Sequence, residues 1–113
     1  MQNNLKNKNT YNLENFLQNN SSWTKVCAEN QKFLSDHDQL IREYKFSSRR
    51  SSYEFAYAIL KLAEEYDHDP ILIAEWQKVT LIWSTHSEKA VTDLDIKMAS
   101  HSDEIYINLN RGN

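Results

Sequence analysis

The chain has 113 residues, a formal net charge of −3, 40% apolar residues and 26% charged ones, which fits one small globular domain with a modest core. The acidic balance excludes broad electrostatic binding to nucleic acid, which needs a basic surface to displace counterions from phosphates. A lone cysteine, Cys27, excludes an internal disulfide and a paired-thiolate zinc motif, and a lone glycine, Gly112, excludes the glycine-rich loops that cradle nucleotide phosphates.

Residues 1–10, "MQNNLKNKNT", are nearly all polar and predict a flexible arm ahead of one domain over residues 11–109, with a frayed end at 110–113. This start has no apolar core of the kind a signal peptide carries, and no stretch reaches the roughly 18 apolar residues of a membrane span. The expected location is therefore cytoplasmic, with neither a membrane nor nucleic acid as a direct partner. Leu13, Phe16 and Leu17 recur at helical spacing in "YNLENFLQNN", a short first helix closed by an Asn-Asn-Ser-Ser turn. Trp23 to Cys27 and Leu40 to Phe46 read as strands, joined by the long connection "AENQKFLSDHDQ". His37 stands there between Asp36 and Asp38 and reads as a solvated loop histidine.

Residues 51–66 give the clearest helix, with Ser51 and Glu54 at the spacing of a capping box. Phe55, Ala56, Ile59, Leu62, Ala63 and Tyr66 make one apolar stripe. Tyr53, Tyr57 and Leu60 widen it to an arc of roughly 200°, where about 100° suffices to face a core. A second buried surface, shared with another subunit, is expected. Ile71 to Ile73 predict a short strand, and residues 76–86 a longer one with Val79, Leu81 and Trp83 on one face and Lys78, Thr80, Ile82, Ser84 and His86 on the other. Thr92 and Asp95 mark the start of a last helix, carried through about Tyr106 by Leu94, Met98, Ala99 and Ile105. The order α-β-β-α-β-β-α predicts an α+β fold: a four-stranded antiparallel sheet with helices packed on one face.

Glu64 falls on the tyrosine-bearing side of its helix and reads as a semi-buried carboxylate. His68 follows four residues later, where Pro70 biases the chain away from helical angles, so it is placed on a loop at the helix end within reach of Glu64. His86 sits at a strand end. Imidazole and carboxylate also suit a metal, with His68, Asp69 and His86 as the ligands to consider, and "STH" raises a serine nucleophile at Ser84 with His86 as its base.

The ordered run "EEYDHDPILIAEWQKVTLIWSTHSEKAVTDLD" resembles the signature of the pterin-4a-carbinolamine dehydratase family: a glutamate, three residues, two histidines and a proline, then an aromatic, nine residues, a histidine and an aspartate. The likeness extends through "LIREYKF", "LAEE" and "DIKMAS", over roughly residues 23 to 104. Two positions depart from the pattern, Asp69 for the second histidine and Ala90 for a glycine.

The resemblance implies a hydro-lyase that dehydrates 4a-hydroxytetrahydropterin to quinonoid dihydropterin in tetrahydropterin recycling, with no metal or redox cofactor. His68 and His86 match the histidines assigned to proton traffic, with Glu64 orienting His68. Asp95 matches an aspartate near the pocket, the backbone of Ser84 and Thr85 the strand edge under the pterin, and Trp76 an aromatic with a packing or a binding role. Asp69 is expected to accept hydrogen bonds from the pterin, because a carboxylate accepts where a histidine can also donate. A homodimer or homotetramer is implied. The alternative is a non-catalytic member acting as an oligomeric binding, transcriptional-cofactor or assembly protein.

Overall fold

A computed structural model describes residues 12–27 and 36–111. The expected N-terminal arm and the middle of the connection before Leu40 lie outside the described residues. Helix α1 (Leu13–Asn19) is followed by β1 (Thr24–Val26), β2 (Gln39–Lys45), α2 (Arg49–Tyr66), β3 (Ile71–Glu75), β4 (Lys78–Trp83) and α3 (Asp93–Arg111). All strand pairings are antiparallel and the sheet order is β1-β2-β4-β3. The helices contact the sheet from one side, so the expected α+β architecture is the observed one. No helix among the described residues is long and apolar enough to cross a membrane.

The core forms where the period-2 face of the sheet meets the period-3.6 stripes of the helices. Leu40 and Tyr44 of β2, Val79, Leu81 and Trp83 of β4, Phe55, Ile59 and Ala63 of α2, and Met98 and Ala99 of α3 are all buried there. Full burial of a large apolar side chain contributes about 1.5–3 kcal/mol, so this set supplies most of what holds the layers together. Asp103 of α3 adds a polar tie: it accepts from Trp23 Nε1, from Arg42 Nη1 at 2.7 Å and from the Tyr44 hydroxyl. Burial, then the neighbouring carboxylate, push the Tyr44 phenol well above its ordinary range.

β4 is shorter than the strand expected over residues 76–86. Trp76 and Gln77 form a two-residue turn between Glu75 and Lys78, with Gln77 at φ 62°. The alternation along β4 holds, yet Thr80 and Ile82 on the far face are buried too. The reason is position in the sheet: as an inner strand, β4 has Ile82 flanked by Ile41 on one side and Ile71 on the other.

The cap of α2 also differs from expectation. Ser48, extended at φ −145°, accepts from the Ser51 amide at 3.1 Å, and the helix starts at Arg49 rather than at Ser51. "SSRRSS" offers several serines able to cap, and packing selects among them: Ser52 is fully buried with its hydroxyl on the Arg49 carbonyl. At the other end, Asp67 adopts the left-handed conformation (φ 52°, ψ 47°). The Asp67 amide bonds Glu64 O and the His68 amide bonds Ala63 O, a Schellman arrangement with aspartate where glycine is usual. Asp67 is thus the residue that reverses the chain. Asp67→Val is expected to cost about 1–2 kcal/mol, since a β-branched side chain disfavours positive φ, and Asp67→Gly to leave the urea midpoint unlowered.

Candidate active site

His68 leaves the end of α2 and stacks on Trp83 of β4, with ring centroids 5.6 Å apart and planes within 8°. Its Nε2 lies 2.7 Å from Asp95 Oδ1. Asp95 is in the first turn of α3 and wholly buried. Its other oxygen, Oδ2, accepts from the Thr92 amide at 2.8 Å and from the Thr85 hydroxyl at 2.7 Å. The Thr92–Asp95 start read from sequence is therefore present, and its carboxylate does two things: one oxygen caps the helix and the other faces the imidazole. A carboxylate only accepts, so Nε2 carries the proton and Nδ1 of neutral His68 is left as the acceptor.

β3 stops pairing at Ile71↔Ile82, while β2 continues to Leu40↔Trp83. The end of β4 thus runs past its neighbour on the side where the 67–70 turn approaches. Thr85 follows and bridges to Ala90 across the 86–89 turn. Ser84 turns away from the Trp83 face and its hydroxyl lies 3.1 Å from Nε2 of His37.

That contact corrects the reading of His37. It is 6% exposed, its Nδ1 is 2.8 Å from Asp36 Oδ1, and its ring meets that of His86 edge-on, with centroids 5.3 Å apart. No signal in the sequence marks it. Extending the Leu40↔Trp83 register by three residues sets 37 against 86, a relation that no local pattern reveals.

Two expectations fail on geometry. Glu64 is exposed, not semi-buried, and lines a shallow recess of about 470 Å³ with Lys61 and Ile105. The reversal at Asp67 carries His68 off the helix surface, so the partner expected in Glu64 is found in Asp95. Trp76 is exposed at the far end of β4 under the Arg49 guanidinium. Roughly 20 Å of strand, at about 3.3 Å per residue, separates it from Ser84 and Thr85, so within one chain it does not meet the histidines. Asp69 and His86 are both exposed at the histidine end of the sheet.

The two other chemistries considered also change. His68, Asp69 and His86 do not form a metal-holding group, and no such group of three occurs among the described residues. Ser84 meets His37 rather than His86. At 5% exposure its hydroxyl is closed to a substrate.

Comparison with known proteins places these residues in context. The family model described as pterin 4 alpha carbinolamine dehydratase matches residues 7–105. A protein of Metallosphaera sedula, provisionally named a pterin-4-alpha-carbinolamine dehydratase, is 36% identical over 70 residues, covering 62% of this chain and 73% of its own length. One of Saccharophagus degradans with the same provisional name is 37% identical over 68 residues, 60% of each chain. Among solved structures, a transcriptional coactivator/pterin dehydratase from Brucella melitensis superposes with a TM-score of 0.71 at 28% identity, over 86% of this chain and 95% of its own. A pterin dehydratase-like protein described as a RuBisCO assembly factor of the alpha-carboxysome shares the fold, with a TM-score of 0.60 at 16% identity over 75% of this chain and 89% of its own.

Proposed function

Because the chain belongs to the pterin-4-alpha-carbinolamine dehydratase family, we propose that it dehydrates a 4a-hydroxytetrahydropterin to the quinonoid dihydropterin in tetrahydropterin recycling. The carbon–oxygen bond at C4a breaks, the hydroxyl leaves as water after gaining a proton, and the ring N5 gives up its proton as the C4a–N5 double bond forms. One group must donate and another accept, and imidazole suits both because its unperturbed pKa is about 6.5. His68 and His86 are the two groups.

The observation that carries this reading is the buried Asp95 on His68 Nε2. It holds the ring in one orientation, leaves Nδ1 for the substrate and stabilises the imidazolium when the proton arrives. The pterin lies along the end of β4, on the backbone of Ser84 and Thr85 beyond the last β3 pairing. Asp69, exposed beside His68, accepts from the amino and ring N–H donors of the pterin. The protein's own part is positioned acid–base chemistry, worth typically about 10²- to 10⁴-fold.

The test follows the ultraviolet absorbance of freshly generated 4a-hydroxytetrahydropterin with the native chain and with His86→Ala. Acceleration by the native chain that the variant lacks supports the reading. Decay at the spontaneous rate overturns it and favours the second one, an oligomeric binding, transcriptional-cofactor or assembly protein. Tyr53, Tyr57 and Leu60 are 52%, 65% and 52% exposed along one side of α2, a stripe suited to burial in a homodimer or homotetramer and compatible with either reading.

A further inference from the structure

We propose that His37 is a positioning residue for His86. The inference rests on the dehydratase reading for what His86 does, and on geometry alone for what His37 does to it. His86 is exposed and lies in the 86–89 turn, where Lys89 is held at φ 52°. An exposed imidazole on such a turn exchanges rotamers in picoseconds to nanoseconds unless something packs against it, and proton transfer needs the ring in one place.

His37 is built to supply that contact. Its ring is buried, and both its nitrogens are engaged, Nδ1 by Asp36 at 2.8 Å and Nε2 by the Ser84 hydroxyl at 3.1 Å. It meets His86 with ring planes at 87° and centroids 5.3 Å apart, within the range of favourable edge-to-face pairs. Asp36 has a second contact with the same turn, 3.4 Å from Lys89 Nζ. The segment before β2 therefore holds the chain at Ser84, ahead of the turn, and at His86 and Lys89 within it. The hydrogen bond from His37, then Lys89, hold the Asp36 carboxyl below its ordinary range, which keeps it ionised as the anchor of the ring. Ser84, His37 and Asp36 stand in the order of a nucleophile, base and orienter, but the closed Ser84 hydroxyl makes them a brace.

The test uses the full chain with His37→Ala, His37→Phe and Asp36→Ala, and two readouts. One is the split between kcat and KM for the dehydration. The other, which needs no substrate, is the χ1 rotamer distribution of His86 from three-bond couplings in labelled protein. His37→Ala is expected to lower kcat about 10- to 100-fold, as displacements near 1 Å do, with KM within about twofold and His86 averaged over rotamers. His37→Phe, which rebuilds the wall without the nitrogens, should restore a single rotamer and most of kcat. Asp36→Ala, at an exposed position that does not threaten folding, should loosen His86 to a smaller degree and carries the test if His37→Ala does not fold. A single native rotamer of His86 in the alanine variants overturns the proposal. A native chain with no dehydratase activity but with rotamer averaging on His37→Ala sinks the function reading alone and leaves the brace standing.

Discussion

Asp95→Asn is expected to lower kcat for the dehydration by about 10²- to 10⁴-fold, the range that positioned acid–base groups contribute, while the chain remains folded. The carboxylate faces two clients through different oxygens. Oδ2 takes the Thr92 amide and the Thr85 hydroxyl, and Oδ1 takes His68 Nε2. An asparagine oxygen at the Oδ2 position preserves the helix cap, but its amide then presents N–H to Nε2. His68 must respond by moving its proton to Nδ1, so the ring offers a donor where the native chain offers an acceptor. Loss of the negative charge removes the stabilisation of the imidazolium as well. The measurement is kcat on freshly generated substrate, with circular dichroism confirming the fold. A loss below about threefold would mean that Asp95 serves α3 alone.

The largest effect on stability is expected from Asp103→Ala, about 3 kcal/mol by urea unfolding. Removing one partner of a buried charged pair leaves the other uncompensated, which typically costs about 3–5 kcal/mol. The lower figure applies here because both Arg42 and Asp103 side chains keep 18% of their surface. Against a total stability of roughly 5–15 kcal/mol, this one carboxylate decides how firmly α3 sits on the sheet. It receives Trp23 Nε1 from the segment before β1, and Arg42 and Tyr44 from β2, and the Arg42 guanidinium covers the Tyr44 ring at 4.3 Å. Asp103→Asn should lose less, because an amide oxygen still accepts from the indole and the phenol. The raised pKa of Tyr44 sets the sign at high pH. The folded state favours the neutral phenol, so this contribution is intact below about pH 10 and is lost as pH climbs beyond it. An Asp103→Ala variant that loses less than about 1 kcal/mol would show the hub to be solvated.

The site divides into what could be read along the chain and what could not. The spacing from His68 to His86 and on to Asp95 marked all three, and the Thr92–Asp95 pair marked the start of α3. The loop that carries His68 stays within reach of Glu64 only if it keeps close to the last turn of α2. It does not, because Asp67 takes positive φ and redirects the chain toward Trp83. A histidine between two aspartates is ordinarily solvated, and nothing adjacent to His37 in the chain marks it otherwise. Its burial comes from the β2–β4 pairing, which brings it across from His86 over 49 residues of sequence.

By itself the sequence determined the alternation of β4, the helical stripe of α2, the order of the seven elements and the family signature. These are signals of period 2, period 3.6 or fixed spacing, and they depend on neighbours within a few residues. Only the tertiary structure decided that Ser48 rather than Ser51 caps α2, that β4 is buried on both faces, that Trp76 lies a strand's length from the histidines, and that Asp95 and His37 are the partners of His68 and His86. Each of these depends on which groups meet across the sheet or between layers. A polar side chain's burial and hydrogen-bond partner are set by that long-range pairing, and local periodicity holds no record of it.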